Sequence, residues 1–169
     1  MNMIIVRNET NSDIEAITGV TMAAFENHPY SHNTEQFIIH ALRAARALAV
    51  SLVAEIDGRV VGHIAFSPAV ISGGVDNWYG VGPLSVLPEF QKKGVGKSLM
   101  YRGLSSLTAM GANGCVLVGD PAYYEIFGFR NIPDLILEGV PPENFVALPF
   151  HGTPVRGVVT FHEAFFATS

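Results

Sequence analysis

The feature that most restricts the fold of this chain is a junction between a strand and a helix at residues 84–100, LSVLPEFQKKGVGKSLM. An apolar run ends here, and a helical pattern begins at about Gly94. Three of the ten basic residues, Lys92, Lys93 and Lys97, lie among these glycines. A helix N-terminus exposes unpaired backbone N–H groups, and glycines allow a ligand to approach them closely. The junction therefore predicts a site for an anion such as a phosphate or pyrophosphate.

Two common nucleotide-binding frames do not fit this junction. A Walker loop requires the frame G-x-x-x-x-G-K-[ST], which is absent here. A dinucleotide fingerprint requires three glycines, and the junction supplies only Gly94 and Gly96 at the required spacing. The two glycines therefore match neither frame, and from the residues alone a plain turn with solvated lysines remains an alternative to an anion site.

Composition restricts the class of protein further. The 169 residues are 49% hydrophobic and 15% charged, which predicts one compact globular domain. A net charge of −5 argues against a general nucleic-acid partner. Cys115 is the only cysteine, which excludes an internal disulfide and a cysteine-based zinc site, and no metal is expected. No signal peptide and no window of about 18 to 20 apolar residues is present, so we expect a cytoplasmic protein without a membrane partner.

The order of predicted elements indicates a single domain over residues 1–169. Ser12 and Glu15 have the spacing of a capping box that opens the first helix. Asp57-Gly58 joins two β-rich runs as a hairpin. Further helices are predicted at residues 37–48 and 94–110 and from Pro121 to Gly128, and further strands at residues 3–7, 77–86, 114–120, 144–150 and 156–165. This order predicts an α/β (α+β) fold with a mixed sheet flanked by helices.

Two motifs resemble landmarks of a known family. The pattern L-x-V-x-P-x-x-Q-x-x-G-x-G of residues 84–96 resembles the acetyl-coenzyme A signature of the GNAT superfamily of N-acyltransferases. The run YYEIFGF at residues 123–129 resembles the second landmark of that superfamily. The likeness extends over nearly the whole chain, which resembles the bacterial YhbS-like subgroup of that superfamily. It implies a GNAT-type sheet whose two central strands splay apart to form a slot.

The resemblance also implies where acetyl-CoA binds. The pyrophosphate would lie on backbone N–H groups from about Gln91 to Gly96, and the pantetheine arm would pair with the strand end at residues 84–86. An N–H near Val86 would face the thioester carbonyl. Asp120 stands where many relatives have asparagine, so we do not assign the role of that asparagine to Asp120. The expected cofactor-binding residues are Leu84, Ser85, Val86, Gln91, Lys92, Lys93, Gly94, Val95, Gly96, Lys97, Ser98, Asp120 and Tyr123.

The resemblance assigns one catalytic residue and leaves another open. Tyr124 aligns with the tyrosine that protonates the departing CoA thiolate in the family. An amine that attacks a thioester must also lose a proton to a base. His63, Glu26, His28 and Asp76 are candidates for this base, and no spacing in the sequence singles one out.

The implied activity is transfer of an acetyl group from acetyl-CoA to a primary amine by direct attack in a ternary complex. A non-catalytic acyl-CoA-binding sensor, a longer acyl-CoA donor and a hydroxyl or thiol acceptor remain alternatives. The sequence does not indicate which amine is the acceptor. The apolar tail FHEAFFATS offers a surface for a homodimer.

Overall fold

The structure is a computed structural model, and it describes residues 2–169. The strands are β1 Ile5–Asn8, β2 Val50–Ile56, β3 Arg59–Ile71, β4 Val75–Val86, β5 Gly114–Val118, β6 Leu135–Ile136, β7 Phe145–Pro149 and β8 Gly157–Phe161. The α-helices are α1 Ile14–Phe25, α2 Glu35–Ala44, α3 Val95–Ala109 and α4 Pro121–Tyr124. No helix within the described residues combines the length and the apolar character that crossing a membrane would require.

A mixed sheet organises the fold, as the sequence predicts. Its main order is β1-β2-β3-β4-β5-β7, and β8 pairs with both β3 and β6. Most neighbours are antiparallel, whereas β4 and β5 run parallel. The hairpin between β2 and β3 is confirmed, because Asp57 and Gly58 both adopt a positive φ, 51° and 78°. The predicted α/β class with flanking helices is therefore confirmed.

The two central strands separate part of the way along the sheet. Strand β4 pairs with β5 only from Trp78 to Gly80, while β5 continues its pairing with β7 as far as Val118. Beyond Gly80 the register between β3 and β4 shifts, so that Gly82 and Pro83 lie opposite Ala65. Such a bulge bends the strand that carries the extra residue. A slot consequently opens between the last residues of β4 and the end of β5.

Helices cover both faces of the sheet around this slot. Helix α3 packs on one face, where Val95 and Leu99 join the main hydrophobic core with Phe66. Helices α1 and α2 pack on the other face, where Ile17 and Ile39 meet at Val53 of β2. The slot therefore lies between an α3 side and an α1/α2 side.

Two predicted helix boundaries are wrong. The capping box involves Thr10 and Asp13 rather than Ser12 and Glu15, because the Thr10 backbone N–H donates to the Asp13 carboxylate at 2.7 Å. Helix α2 ends at Ala44 rather than at Leu48, because Arg46 takes a left-handed φ of 57° that a helix cannot contain.

Candidate functional site

The loop between β4 and α3 presents a row of free backbone donors. Gly94 is the N-cap of α3 and has a φ of 88°, which suits glycine. Within residues 2–169, the N–H groups of residues 92–97 have no backbone acceptor. The Gln91 side chain closes the loop, because its Nε2 donates to the Val86 carbonyl at 3.0 Å. The result is a helix N-terminus that offers several donors to a single anion.

The basic side chains of this loop surround those donors. Lys92, Lys93 and Lys97 are exposed, and the Nζ of Lys93 lies 5.7 Å from the centroid of the Phe90 ring. Val95 is 1% exposed because its side chain enters the core, so only its backbone can face a ligand. The structure thus brings the predicted residues 91–98 together at one helix end.

The end of β4 provides a free strand edge beside the slot. On one side, Leu84 and Val86 pair with β3, and no strand in the described part of the chain pairs with the other side beyond Gly80. The N–H of Leu87 donates to β3, whereas the Val86 carbonyl accepts from Gln91. Since N–H and C=O of one residue point the same way in a strand, the Val86 N–H faces the slot. A polar extended group could therefore pair with this edge.

Helix α4 borders the other side of the slot. Asp120 is its N-cap, and the Asp120 carboxylate accepts from the Ala122 N–H at 3.0 Å. The Tyr123 hydroxyl reaches the start of α3, where it lies 3.6 Å from the position of a Cβ added to Gly96. The Tyr124 ring lies against Gly119 at the end of β5, so closely that a Cβ there would be 2.5 Å from Cε2.

Tyr124 is a protonated phenol at neutral pH. Burial, followed by the nearby Tyr123 and Asp120, raises the pKa of Tyr124 to about 12. Its ring packs in an edge-to-face pair with Tyr123 at 4.9 Å. The side chain is consequently anchored by its ring, and its protonated hydroxyl is a hydrogen-bond donor.

The candidate bases lie in different surroundings and are not brought together. Glu26 and His28 are exposed in the segment after α1, where the His28 ring packs against Phe25 at 5.7 Å. Asp76 is exposed at the opposite end of β4 from the free edge. His63 is fully buried on β3. Of the four, only His63 lies on a strand that pairs with the last residues of β4.

Sequence reasoning missed Ser51, which holds His63, and the Glu9–Arg43 pair behind it. Ser51 Oγ lies 2.8 Å from His63 Nε2, and Ser51 also donates to the Glu9 carboxylate. Arg43 of α2 binds that carboxylate at 2.9 Å. Burial above all, together with the positive Arg43, lowers the pKa of His63 to about 3, although the negative Asp13 opposes the shift. The only signal in the sequence was a serine within the apolar run of β2.

Cys115 is a core residue. It is fully buried in the main hydrophobic cluster, and burial raises the pKa of its thiol. Within residues 2–169 no group of three or more histidine, cysteine, aspartate or glutamate side chains could hold a metal ion.

Comparison with known proteins establishes the class. The sequence profile of the acetyltransferase (GNAT) family matches residues 15–129. The chain belongs to this family. It is 32% identical over 169 residues to the uncharacterized N-acetyltransferase YhbS of Escherichia coli strain K12, and the match covers 96% of this chain and 98% of YhbS. The predicted resemblance to the YhbS-like subgroup is therefore confirmed.

Two solved structures share the fold over almost the full chain. A GNAT family acetyltransferase from Brucella melitensis, in complex with acetyl-CoA, has 45% identity and a TM-score of 0.86, and the match covers 98% of this chain and 99% of that one. YhbS from Escherichia coli, in complex with CoA, has 32% identity and a TM-score of 0.89, with 98% and 93% covered. The first of these structures contains acetyl-CoA, and the second contains CoA.

Proposed function

We propose that this protein transfers the acetyl group of acetyl-CoA to a primary amine by direct attack within a ternary complex. The observation that carries the proposal is the free edge of β4, which runs from the slot to the donor-rich start of α3. One ligand with an extended polar arm and a pyrophosphate would satisfy both features. The acetyl-CoA and CoA complexes of the two relatives support this assignment.

The donor would be held mainly by main-chain groups. The pyrophosphate would accept from the N–H groups of residues 92–97, and the charges of Lys92 and Lys97 would add to the helix dipole. The pantetheine arm would extend the sheet at residues 84–86 as an added strand. Ser85 would contribute only its backbone, because its side chain is 1% exposed on the α1/α2 side.

The chemistry would take place at the mouth of the slot. The amine nitrogen attacks the acetyl carbon, a C–N bond forms, and the C–S bond to CoA breaks. The Val86 N–H would stabilise the negative oxygen, a contribution of about 3 to 4 kcal/mol for a single donor in better-studied cases. Tyr124 would donate its proton to the departing sulfur. Since a thiol pKa of about 8.5 makes CoA an easy leaving group, this assistance is modest.

A calorimetric titration with acetyl-CoA tests the donor site. We expect a Kd in the micromolar range, which corresponds to about 8 kcal/mol, and its loss in Gly94→Glu. Gly111→Glu is the matched control, because Gly111 has the same left-handed backbone, a φ of 82° against 88°, and equally open surroundings. Both variants carry the same strain and charge, but Gly111 follows the other end of α3. A folded wild type that binds neither acetyl-CoA nor longer acyl-CoAs would overturn the proposal.

Release of free CoA in the presence of a panel of primary amines tests the transfer itself. A wild type that binds acetyl-CoA and releases CoA only when an amine is present supports the proposed reaction. Tight binding without release for any amine would indicate an acyl-CoA-binding sensor instead. Preferential binding of longer acyl-CoAs would assign a different donor to the same slot.

A further inference from the structure

A cavity of about 480 Å³ lies between two arms of the chain, residues 131–137 and residues 142–145, and we name it the side cavity. Its wall is mostly apolar and includes Leu135 and Phe145. Asn131 ties the two arms together, because its Nδ2 donates to three main-chain carbonyls of the second arm at 3.0 to 3.1 Å. A cavity of this size, with its arms hydrogen-bonded to each other, is large enough for a small ligand.

The side cavity lies one strand away from the slot. Phe145, in its wall, is the first residue of β7 and the register partner of Val118 at the end of β5. Strand β4 leaves β5 after Val116, so β5 alone separates this wall from the slot. Asn144 fixes the arrangement, because its carbonyl accepts from the Gly119 N–H and its side chain donates to the Gly119 carbonyl.

The side cavity also lies on the α1/α2 side of the sheet. Cys115 and Leu117 of β5 join the hydrophobic core under α3. Because side chains alternate along a strand, Val116 and Val118 face the opposite side, and Phe145 shares that side with Val118. Val118 is 47% exposed, so an apolar surface leads from the cavity wall towards the slot. A ligand in the side cavity therefore reaches the slot across Val118.

The wall of the side cavity carries negative charge and no positive charge. Among the described residues that line it, Glu143 is the only one with an ionisable side chain, and it is exposed. Residues 131–145 contain two further acidic residues but no lysine, arginine or histidine. Arg130, which precedes the first arm, and Arg156, which precedes β8, are not part of the wall. This charge attracts a cationic group and repels an anionic one.

We propose that the side cavity binds the acceptor, and that the acceptor is a diamine with an apolar spacer. One primary amino group enters the slot, the spacer lies against Val118 and Phe145, and the second amino group, as a cation, pairs with Glu143. The inference rests on the acetyl transfer proposed above, for which it names the class of acceptor. An apolar wall with a single carboxylate is complementary to such a ligand in both polarity and charge.

The strand spacing determines how long the spacer is. Neighbouring strands lie about 4.8 Å apart, so a ligand crosses about 5 to 10 Å between the wall at Phe145 and the slot, which a chain of about six carbon atoms spans. Methylamine is too short to occupy both places. It therefore reports on acetyl transfer without a contribution from the side cavity.

Three probes of similar length test the acceptor class, because they differ in the group at the far end. Hexamethylenediamine ends in a cation, hexylamine in a methyl group and ε-aminocaproate in a carboxylate. With saturating acetyl-CoA, we expect kcat/KM for CoA release to fall in that order. Hexylamine should exceed methylamine by at least tenfold, because its added methylene groups become buried. Equal values for the three long probes, or for hexylamine and methylamine, would overturn the inference.

Glu143→Gln tests the charge and keeps the shape of the side chain. We expect kcat/KM to fall about fivefold for hexamethylenediamine and to rise similarly for ε-aminocaproate, on the scale of an exposed ion pair. Hexylamine and methylamine should stay within about twofold. Glu163→Gln is the matched control, because Glu163 is an exposed glutamate in the wall of another cavity, of about 300 Å³, between α2 and the C-terminal tail. All four probes should stay within about twofold in this control, and the same response in both variants would overturn the inference.

Ile136→Trp tests the space. Ile136 lines the side cavity and is 50% exposed, so a larger side chain there fills the cavity without entering the core. We expect kcat/KM to fall at least tenfold for hexylamine and hexamethylenediamine, with methylamine and the Kd of acetyl-CoA within about twofold. A folded variant that loses the same factor for methylamine, or none for hexylamine, would overturn the inference.

The inference and the proposed function fail in different ways. If the wild type acetylates methylamine, but neither the length nor the end group of the amine changes kcat/KM, only the inference is overturned. If the wild type binds acetyl-CoA but releases no CoA with any of the four amines, the proposed transfer is overturned, and the inference with it.

Discussion

The two sides of the slot, named the donor side and the acceptor side after the roles proposed above, are built from different groups. The donor side is one continuous stretch, residues 84–98, in which backbone N–H groups and a helix end face the ligand. What we name the acceptor side is the sheet face under α1 and α2, where the side chains of Glu9, Ser51 and His63 meet. A site built from main-chain groups tolerates substitution of its side chains. A buried site built from side chains loses its hydrogen bonds when any one of its residues is substituted.

This difference in burial produces a difference in response to pH. The charged side chains of the donor loop, such as Lys92 and Lys97, are exposed. On the acceptor side, His63 is buried in its neutral form and would gain a proton on unfolding. A fall in pH is therefore expected to reduce the stability of the acceptor side more than that of the donor side.

The largest expected effect is a loss of stability in acid that depends on His63. Its pKa is about 3 in the folded protein against about 6.5 unfolded, so the unfolded state binds more protons between these values. Stability is complete above pH 6.5 and falls as the pH falls, by about 4 kcal/mol between pH 7 and pH 3 at about 1.4 kcal/mol per pKa unit. Urea unfolding at several pH values measures the slope.

His63→Gln should flatten this slope, because its amide can still donate to Ser51 but cannot titrate. Lys92→Gln on the donor side is the control and should keep the slope of the wild type. Asp13 adds a separate loss below about pH 4, since Arg7 holds the pKa of Asp13 well below its usual range. That loss remains in both variants. Equal slopes for wild type and His63→Gln would mean that the ring is charged in the folded protein.

The donor side could be predicted from the sequence because its parts are adjacent in the chain. Glycine at 94 and 96, glutamine at 91 and the strand before them all fall within one short motif. The structure adds the reason for Gln91, which donates to the Val86 carbonyl and closes the loop. Because the backbone sets the geometry of this side, the residues that determine it are consecutive and form a recognisable sequence motif.

The acceptor side could not be predicted in this way. Glu9, Ser51 and His63 are 42 and 12 residues apart in sequence, and only the register of β1, β2 and β3 brings them together. The register of distant strands decided these positions. The capping-box prediction failed for a different, local reason: Thr10 and Asp13 are three residues apart, and Arg7 of β1 also binds the Asp13 carboxylate.

A second contrast concerns how each helix sits on the sheet. A Cβ added at Gly103 of α3 would lie 2.2 Å from the Phe66 ring, whereas one added at Gly19 of α1 would meet nothing within 4 Å. Gly103→Ala should therefore destabilise the protein by about 1 to 3 kcal/mol. Gly19→Ala should stabilise it by up to about 1 kcal/mol, because alanine has a higher helix propensity than glycine at an exposed helix position. Similar effects in chemical denaturation would mean that α3 does not depend on this close contact.

The third prediction separates binding from catalysis at α4. Tyr124→Phe should lower kcat about tenfold, or about 1.4 kcal/mol, and leave the affinity for acetyl-CoA unchanged, because only the proton donor is lost. Tyr123→Phe is the control. Its hydroxyl lies over Gly96 at the start of α3, so removing it should affect the affinity more than kcat. Unchanged kcat in Tyr124→Phe would contradict the catalytic assignment.

The smallest expected effect compares two glutamine side chains, one on each side of the slot. Gln91 Nε2 donates to the Val86 carbonyl on the donor side, and Gln36 Nε2 donates to the Asn33 carbonyl at the start of α2. A single hydrogen bond contributes about 1 kcal/mol, so Gln91→Ala should weaken acetyl-CoA binding about fivefold. Because Gln91 is exposed, the free energy of unfolding should hardly change.

Gln36→Ala should show the opposite pattern. Gln36 is 9% exposed and its bond helps to fix the beginning of α2, so its loss should lower the free energy of unfolding by about 1 kcal/mol. The affinity for acetyl-CoA should stay the same, because α2 does not border the donor loop. Calorimetry and urea unfolding of both variants complete the comparison. If both variants lost the same amount of affinity, the two sides of the slot would be coupled rather than independent, since neither bond touches the other.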